Sequence, residues 1–466
     1  MNNSEIESIG DNLSLLGMLI LVSITLILLF GFGIAASISP AILIAAALLL
    51  LLTWNFNALV VLFLGFFFVE YYIYGLCLTE LLGSYFLFSF LLMYRIKNEK
   101  LNLSLVGAYC VFLVSIMPSY FNIGIQHLWL WFWSIRYFSF MTILITFPIA
   151  FSDLHRLKSG INLFIIFAVI NGISVIFWAM ASGGREFGFS GVMYCDLVGI
   201  GITLALVRFL FVHKNRSFFI SATILLSMAS LFTQTRNSWI AICLTIIFVL
   251  ILFVVFSGEL GNKRSNALQW IISASAIFVF VAGLIYLFAP ETFTRLENKP
   301  IQQSDDIVFV VGQSSLNTRA IIWHTAFNAF LAHPFIGIGN FNFQFVSEDY
   351  YSLSSALYGA FVKGLNPHLV IMELLSETGI IGTLGYFYFM VHVWKKIIGI
   401  LKNSAIKETL YSSVSISAAV FYATISMLMT DAWLWGQLQM LLACIVAGII
   451  IVENEQIARQ ALYNEF

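Results

Sequence analysis

Residues 13–32 read LSLLGMLILVSITLILLFGF, and residues 41–54 read AILIAAALLLLLTW. Neither run carries a charge, and neither alternates polar with apolar side chains. A continuous apolar run of about 20 residues has the length of an α-helix that crosses the hydrocarbon core. A membrane β-barrel needs instead roughly ten-residue segments of alternating polarity. These runs therefore set the class as helical and membrane-spanning. The rest of the chain agrees, since 61% of its 466 residues are hydrophobic and 10% charged, against near half and a quarter in soluble domains. A soluble globular protein is excluded, and so is a protein with a single anchor.

Charge excludes a further class. There are 22 Lys and Arg against 23 Asp and Glu, a net charge of −1 with no basic run, so nothing prepares the chain for nucleic acid. The five cysteines (Cys77, Cys110, Cys195, Cys243, Cys444) sit far apart in apolar stretches without a CxxC pair. Neither a zinc site nor a disulfide framework is indicated. The first residues, MNNSEIESIGDNLS, hold no Lys or Arg, so they lack the positive region of a cleavable signal peptide and the first helix is expected to remain as a span.

Extending the reading along the chain predicts an all-α polytopic protein of about 14 helices (12–14). The expected spans are 13–33, 36–54, 57–75, 78–94, 103–120, 129–151, 161–181, 192–212, 218–233, 238–256, 270–289, 369–394, 409–430 and 434–452. Both termini then lie on one side, which also holds fifteen of the 22 basic residues. The positive-inside rule makes that side cytoplasmic. The other side holds Arg136, Arg185, Arg236, Arg295, Lys299, Arg319 and Lys363. The expected organisation is a single integrated membrane domain: eleven helices in 1–289, a periplasmic loop domain at 290–367, and three helices in 368–466. The loop contains an amphipathic helix, Leu316–His333, with Trp323, Phe327, Phe330 and Leu331 on one face. Pro334 and the glycines Gly337 and Gly339 end it, and its apolar face is expected to lie on the outer membrane surface.

Two polar stretches carry the candidate chemistry. Thr233-Gln-Thr-Arg236-Asn-Ser interrupts the 38-residue apolar stretch Phe218–Val255. It would place Arg236 at the outward start of a helix. A cation there opposes the helix dipole, unless an anion such as a phosphate meets both guanidinium and backbone N–H groups. Asn366-Pro367-His368 precedes the apolar run LVIMELLSETGIIGTLGYF. Asn as N-cap and Pro at the first helical position are a helix-start signature. His368 would then sit on the first turn, where the dipole favours neutral imidazole, able to take a proton from a hydroxyl nucleophile. A plain interfacial Arg and a hydrogen-bonded interfacial His are the structural alternatives. Arg136 (in LWLWFWSIRYF), Arg185 (in GGREFG) and Arg319 join Arg236 on the outer side, and arginines suit bidentate recognition of a diphosphate. Glu373 and Glu377, four apart on one helix face, are expected to pair with a buried arginine rather than to catalyse. The other histidines show no metal-ligand spacing, so no metal is expected. Asp196, Glu70 and Asp431 are acids near the membrane with no role assigned from sequence.

These segments, taken together and in order, resemble the bacterial O-antigen ligase and polymerase superfamily. Thr233-Gln-Thr-Arg236-Asn-Ser-Trp-Ile is similar to that family's Thr/Ser-Arg-x-small-aromatic turn. Arg319-Ala-Ile-Ile-Trp323 with His333-Pro-Phe-Ile-Gly337-Ile-Gly339-Asn-Phe341 is similar to its Arg-x-x-x-Trp and Pro-x-x-Gly-x-Gly stretch. Asn366-Pro-His368 with Glu377 and Gly379 is similar to its histidine and Glu-x-Gly helix, except that Leu369 stands where the family usually has Asn. The resemblance covers about residues 180–395.

It implies a multi-pass protein of the bacterial inner membrane, and a metal-independent, inverting glycosyltransferase without cofactor, active on the periplasmic face. The donor would be a glycan on undecaprenyl diphosphate. Arg236 and Arg319 match arginines that hold the diphosphate, Arg185 and Arg136 would assist, and His368 matches the essential histidine, with Glu377 and Glu373 in support. Polymerisation, with a lipid-linked repeat unit as acceptor and a chain-length regulator as a further partner, is the expected activity, because ligases usually have about twelve spans. Transfer to lipid A–core, the ligase reaction, is the alternative. A secondary transporter is the rival of another class, but transporters place ionisable groups at the midplane on broken helices.

Overall fold

The computed structural model describes residues 72–73, 76–77, 104–124, 130, 134–150, 153–182, 194–212, 214–233, 235–256, 308, 315–403, 407–428 and 436–464, all within the unit Phe67–Phe466. Among the described residues the regular structure is helical apart from a two-residue antiparallel pairing of Tyr72–Ile73 with Leu76–Cys77. That pairing interrupts the helix expected at 57–75 before its end. The remainder of that span, and those at 13–33, 36–54, 78–94 and 270–289, lie outside the described residues.

Each of the other nine expected spans is met by a helix: α1 (Ser104–Ile116, extended by a 3-10 turn Met117–Asn122), α2 (Ile135–Ala150), α3 (Leu154–Ser182), α4 (Tyr194–Phe211), α5 (Arg216–Phe232) and α6 (Arg236–Phe256). Further on come α7 (Ser315–Ala332), the short α8 (Phe343–Val346) and α9 (Ser355–Phe361) of the loop, then α10 (Val370–Lys402), α11 (Lys407–Met427) and α12 (Gly436–Asn464). Among the described residues six helical stretches are long and apolar enough to cross a membrane, so the chain is a multi-pass membrane protein. Helix α4 is the hub. It packs against α3, α5, α6 and α11, and from Cys195 to Val207 every side chain is buried, as expected of a helix apolar on all faces. Helix α10 packs along α1 and α7, and α12 along α2 and α11.

The described part of the loop folds on a small core of its own. Ile321, Ile322, Ala326 and Ala329 of α7 pack with Ile338, Phe343, Leu357 and Val362. A second apolar face joins the one expected from sequence. Phe327 and Leu331 are exposed, while the buried stripe lies at 321, 322, 325, 326 and 329. Helix α7 is thus apolar on two faces, because it must serve a protein core on one side.

Helix α10 is not one helix. At Gly379 the backbone turns to φ 64°, ψ −167°. In an unbroken helix the amides of Ile380 and Ile381 would bond to the carbonyls of Ser376 and Glu377. Instead the loop after α7 is inserted between them. Ile338 N–H donates to the Ser376 carbonyl (2.9 Å) and Gly339 N–H to that of Glu377 (3.0 Å), while Ile380 and Ile381 N–H donate to the carbonyls of Pro334 (2.9 Å) and Phe335 (3.2 Å). The two backbones approach so closely that a β-carbon at Gly379 would overlap the Phe335 carbonyl and lie 2.6 Å from the Ile336 nitrogen. A β-carbon at Gly337 (φ +68°) would overlap the Glu377 carbonyl.

Gly379→Ala therefore combines a left-handed penalty of about 1–2 kcal/mol with a backbone clash. It is expected to lower the midpoint of thermal unfolding in detergent sharply. Gly399→Ala in the same helix meets nothing within 4 Å and is expected to be neutral or slightly stabilising. Equal midpoints for the two variants would mean that the insertion does not hold α10 together.

Candidate active site

The inserted loop gathers side chains from three helices. Glu377 is 1% exposed, and its carboxylate accepts the backbone N–H groups of Phe341 (Oε2, 2.7 Å) and Phe343 (Oε1, 3.1 Å). The expected pairing with an arginine is thus corrected: a pair of amides takes the carboxylate, because the loop presents two donors no helix satisfies. Phe341 itself is left-handed (φ 63°), a strained state for a bulky residue. Its ring stacks on Tyr137 (5.7 Å between centroids) and lies 5.6 Å from the guanidinium carbon of Arg136. Arg136, only 5% exposed, is therefore placed against the loop by the first turn of α2.

Around it runs a chain of polar contacts. Asn122 Nδ2 donates to the Gly337 carbonyl (2.6 Å) and Asn340 Nδ2 to the Tyr120 hydroxyl (2.9 Å). Tyr137 OH donates to Asn340 Oδ1 (3.2 Å), and Ser134 Oγ to the Tyr120 hydroxyl (2.6 Å). Tyr120, Asn122, Tyr137 and Asn340 were not singled out in sequence. Only Asn340, inside the glycine stretch, carried a local hint.

His368 does not sit on a helix turn as its Asn-Pro signature predicts. Helix α10 starts at Val370, Leu369 is extended (φ −158°) and His368 is left-handed (φ 52°). The reason is a tertiary bond: Trp323 Nε1 donates to the carbonyl of Pro367 (2.8 Å), holding the chain outside the helix. Arg319 and Trp323 stand four apart on α7, hence on one face and one turn from each other. The indole of Trp323 thus touches the residue before His368, and Arg319 lies one turn of α7 away from Trp323. His368 is half-buried, as is Arg319. Glu373 lies in the first turn of α10, 2% exposed.

Arg236 is the first residue of α6, as its sequence predicts, and its side chain lies outside the described residues, as does Arg185. The turn that carries it is tied down from both sides. Thr233 Oγ1 donates to the Ser230 carbonyl (2.6 Å), and Trp239 Nε1 to the same carbonyl (2.9 Å). Thr235 Oγ1 meets Cys195 Sγ (3.0 Å), and Ser238 Oγ donates to the Cys195 carbonyl (2.8 Å). Tyr422 of α11 reaches the same place, with its hydroxyl 3.2 Å from Ser238 Oγ and 3.1 Å from the Cys195 carbonyl. Asp196, an acid without a role in the sequence reading, accepts from Ser426 and Tyr422. It anchors the network that fixes Thr235 and Ser238, the residues on either side of Arg236-Asn237. Among the described residues no three His, Cys, Asp or Glu side chains come together as a metal site.

Residues 220–387 match the family model described as O-antigen ligase. This stretch, about a third of the chain, is similar to that family's domain. No curated protein matches the chain. The matched stretch runs from the start of α5 to the middle of α10. It thus encloses the Arg236 turn, the Arg319–Trp323 helix, the inserted loop, His368 and the Gly379 break.

Replacing Glu377 by Gln leaves one amide N–H facing an NH₂ group. One buried donor then loses its acceptor, at a cost of about 1–3 kcal/mol. The expected outcome is a lowered unfolding midpoint for Glu377→Gln. Tyr422→Phe, which deletes a hydroxyl but leaves Asp196 bonded to Ser426, is expected to cost about 1 kcal/mol. A Glu377→Gln protein as stable as the wild type would mean that the amide pair does not depend on the carboxylate.

Proposed function

We propose that the chain polymerises undecaprenyl-diphosphate-linked oligosaccharide repeat units, of O-antigen or a related surface polysaccharide, on the periplasmic face by metal-independent inverting glycosyl transfer. The observation that supports this reading is the Trp323–Pro367 hydrogen bond, which ties the helix bearing Arg319, the cation of this reading, to the residue before His368, its base. The acceptor hydroxyl oxygen attacks the anomeric carbon while its proton passes to His368. The carbon–oxygen bond to the diphosphate breaks from the opposite face, inverting the centre. Arg319 and Arg236, assisted by Arg136 and Arg185, neutralise the departing diphosphate, the part a divalent cation would otherwise play. Glu377 supports by holding the loop, and Glu373 lies beside it on α10. The acceptor is a second lipid-linked repeat unit, and a chain-length regulator is a further partner. The protein resides in the inner membrane with cytoplasmic termini.

The ligase reaction, transfer to lipid A–core, is the second reading, favoured by the description of the matching family. Transport is disfavoured by the break in α10. Transporters use the freed backbone groups of broken helices to bind ions and substrate, whereas the groups freed at Gly379 are bonded to the loop.

The test is a strain lacking the gene, supplied with wild type or variants, with surface polysaccharide resolved on a gel. Loss of polymerisation leaves lipid A–core bearing a single repeat unit. Loss of ligation leaves bare core and full-length glycan on the carrier. An unchanged ladder overturns both. His368→Ala is expected to lower transfer by about 100-fold or more, the usual contribution of a general base. Arg319→Lys is expected to raise the apparent donor KM roughly tenfold through loss of the bidentate fork. A chelator is expected to leave the rate of the purified protein unchanged, and a rate abolished by chelation and restored by Mg²⁺ would refute the arginine account.

A further inference from the structure

Helix α4 has a second polar cluster near its other end, 12 residues from Asp196 and so about 18 Å along the axis. Arg208 lies between two rings, its guanidinium carbon 5.1 Å from the ring of Phe219 and 4.9 Å from that of Tyr411. Such stacking fixes the plane of the fork. Its Nε is buried and has no hydrogen-bond partner, and the same holds for the Tyr411 hydroxyl and for Ser415 Oγ, one turn further along α11. Arg208 and Ser415 both face that hydroxyl. Among the described residues no carboxylate pairs with Arg208.

The cluster is thus made of donors around a positive charge, with no acid to balance it. A half-buried cation without a counter-charge keeps part of its desolvation cost, and its unbonded Nε adds to that cost. The helix end would itself repel an anion, since its carbonyls are the negative pole of the dipole. That pole is covered: Arg216 Nε donates to the Val212 carbonyl (3.3 Å) and its Nη2 to that of Leu210 (3.5 Å). Lys214, in the turn between α4 and α5, is exposed and adds a further positive charge. Arg208 as a whole is partly exposed, so the cluster is open at the edge of the bundle.

We propose that Arg208, Tyr411 and Ser415 form a binding site for a phosphate-ester oxyanion, supplied by the headgroup of an anionic phospholipid. The fork and two hydroxyl groups are complementary to phosphate oxygens. The position at the end of α4 and the start of α5, both apolar helices of a membrane protein, sets the cluster at headgroup level, where anionic lipids are attracted by basic side chains. The site is separate from the Arg236 turn and does not rest on the proposed transfer reaction.

The experiment uses the full chain, purified in detergent and stripped of lipid. Its unfolding midpoint is followed while phosphatidylglycerol, phosphatidylcholine or inorganic phosphate is titrated. Phosphatidylglycerol is expected to raise the wild-type midpoint in a saturable way at concentrations where phosphatidylcholine does not. In Arg208→Gln the half-saturating concentration is expected to rise about tenfold or more, the loss of at least one charge-assisted hydrogen bond. Should Arg208→Gln fail to fold, Ser415→Ala and Tyr411→Phe keep the test open, each with a smaller rise in the same direction. A phosphatidylglycerol response unchanged in all the variants that fold, or equalled by phosphatidylcholine, overturns the site. Saturation by inorganic phosphate alone, lost in Arg208→Gln, upholds the oxyanion site and makes its source a soluble phosphate.

Discussion

Four backbone hydrogen bonds between the loop 334–339 and the break at Gly379 hold the loop and the broken helix in register. A membrane helix cannot leave amides and carbonyls unpaired, since each would cost several kcal/mol in hydrocarbon. It can be opened only where another backbone closes the gap. The loop does this with its own irregular conformation, and the close approach demands glycine on both sides, at Gly337 and Gly379. The Pro-x-x-Gly-x-Gly and Glu-x-Gly stretches, about 40 residues apart in sequence, are two halves of one joint.

The geometry of the site follows from that joint. Once Ile338 and Gly339 are bonded to the broken helix, the chain at Phe341 and Phe343 presents two amides to the same helix, and the carboxylate of Glu377 is the group that receives them. Phe341 accepts a left-handed backbone and is placed between Tyr137 and Arg136. On the other side of the loop, α7 is held against α10 by the same insertion, which lets Trp323 reach the Pro367 carbonyl and hold His368 clear of the helix. A cationic side chain, an aromatic clamp and a histidine are thus positioned by backbone contacts more than by contacts with one another.

Hydropathy made the spans legible because burial in lipid imposes a length and an absence of charge that few sequences meet by accident. Among the described residues nine helices stand where apolar runs predicted them, and Arg236 opens α6 as the polar turn required. What could not be read was tertiary. The resemblance marks Gly379 as part of a Glu-x-Gly stretch, but nothing local says that a segment about 40 residues upstream will enter there. Asn366-Pro367 is a sound N-cap pattern, yet a single indole N–H from α7 outcompetes it and moves the helix start to Val370. Glu377 looked like half of an ion pair, because backbone amides, which have no letter in the sequence, are invisible as partners. Asp196 likewise showed only that an acid stood in an apolar stretch, with its partners Tyr422 and Ser426 more than 200 residues away.

The two ends of α4 are built on opposite accounts of the same requirement. At the Asp196 end, a carboxylate is matched by hydroxyl groups, and those groups are matched again by the carbonyl of Cys195 and by Ser238. Such a network is closed and rigidifies the turn that carries Arg236. At the Arg208 end, donors outnumber acceptors and the charge is left to the rings of Phe219 and Tyr411. Because α4 packs against four other helices, its polar ends are held at the bundle and cannot swing away as those of a peripheral helix could, although Arg208 keeps part of its surface at the edge. A polar group at either end must be answered within the protein or by something that arrives at the boundary. The first end is answered within the protein, and the second is poised for an anion from outside.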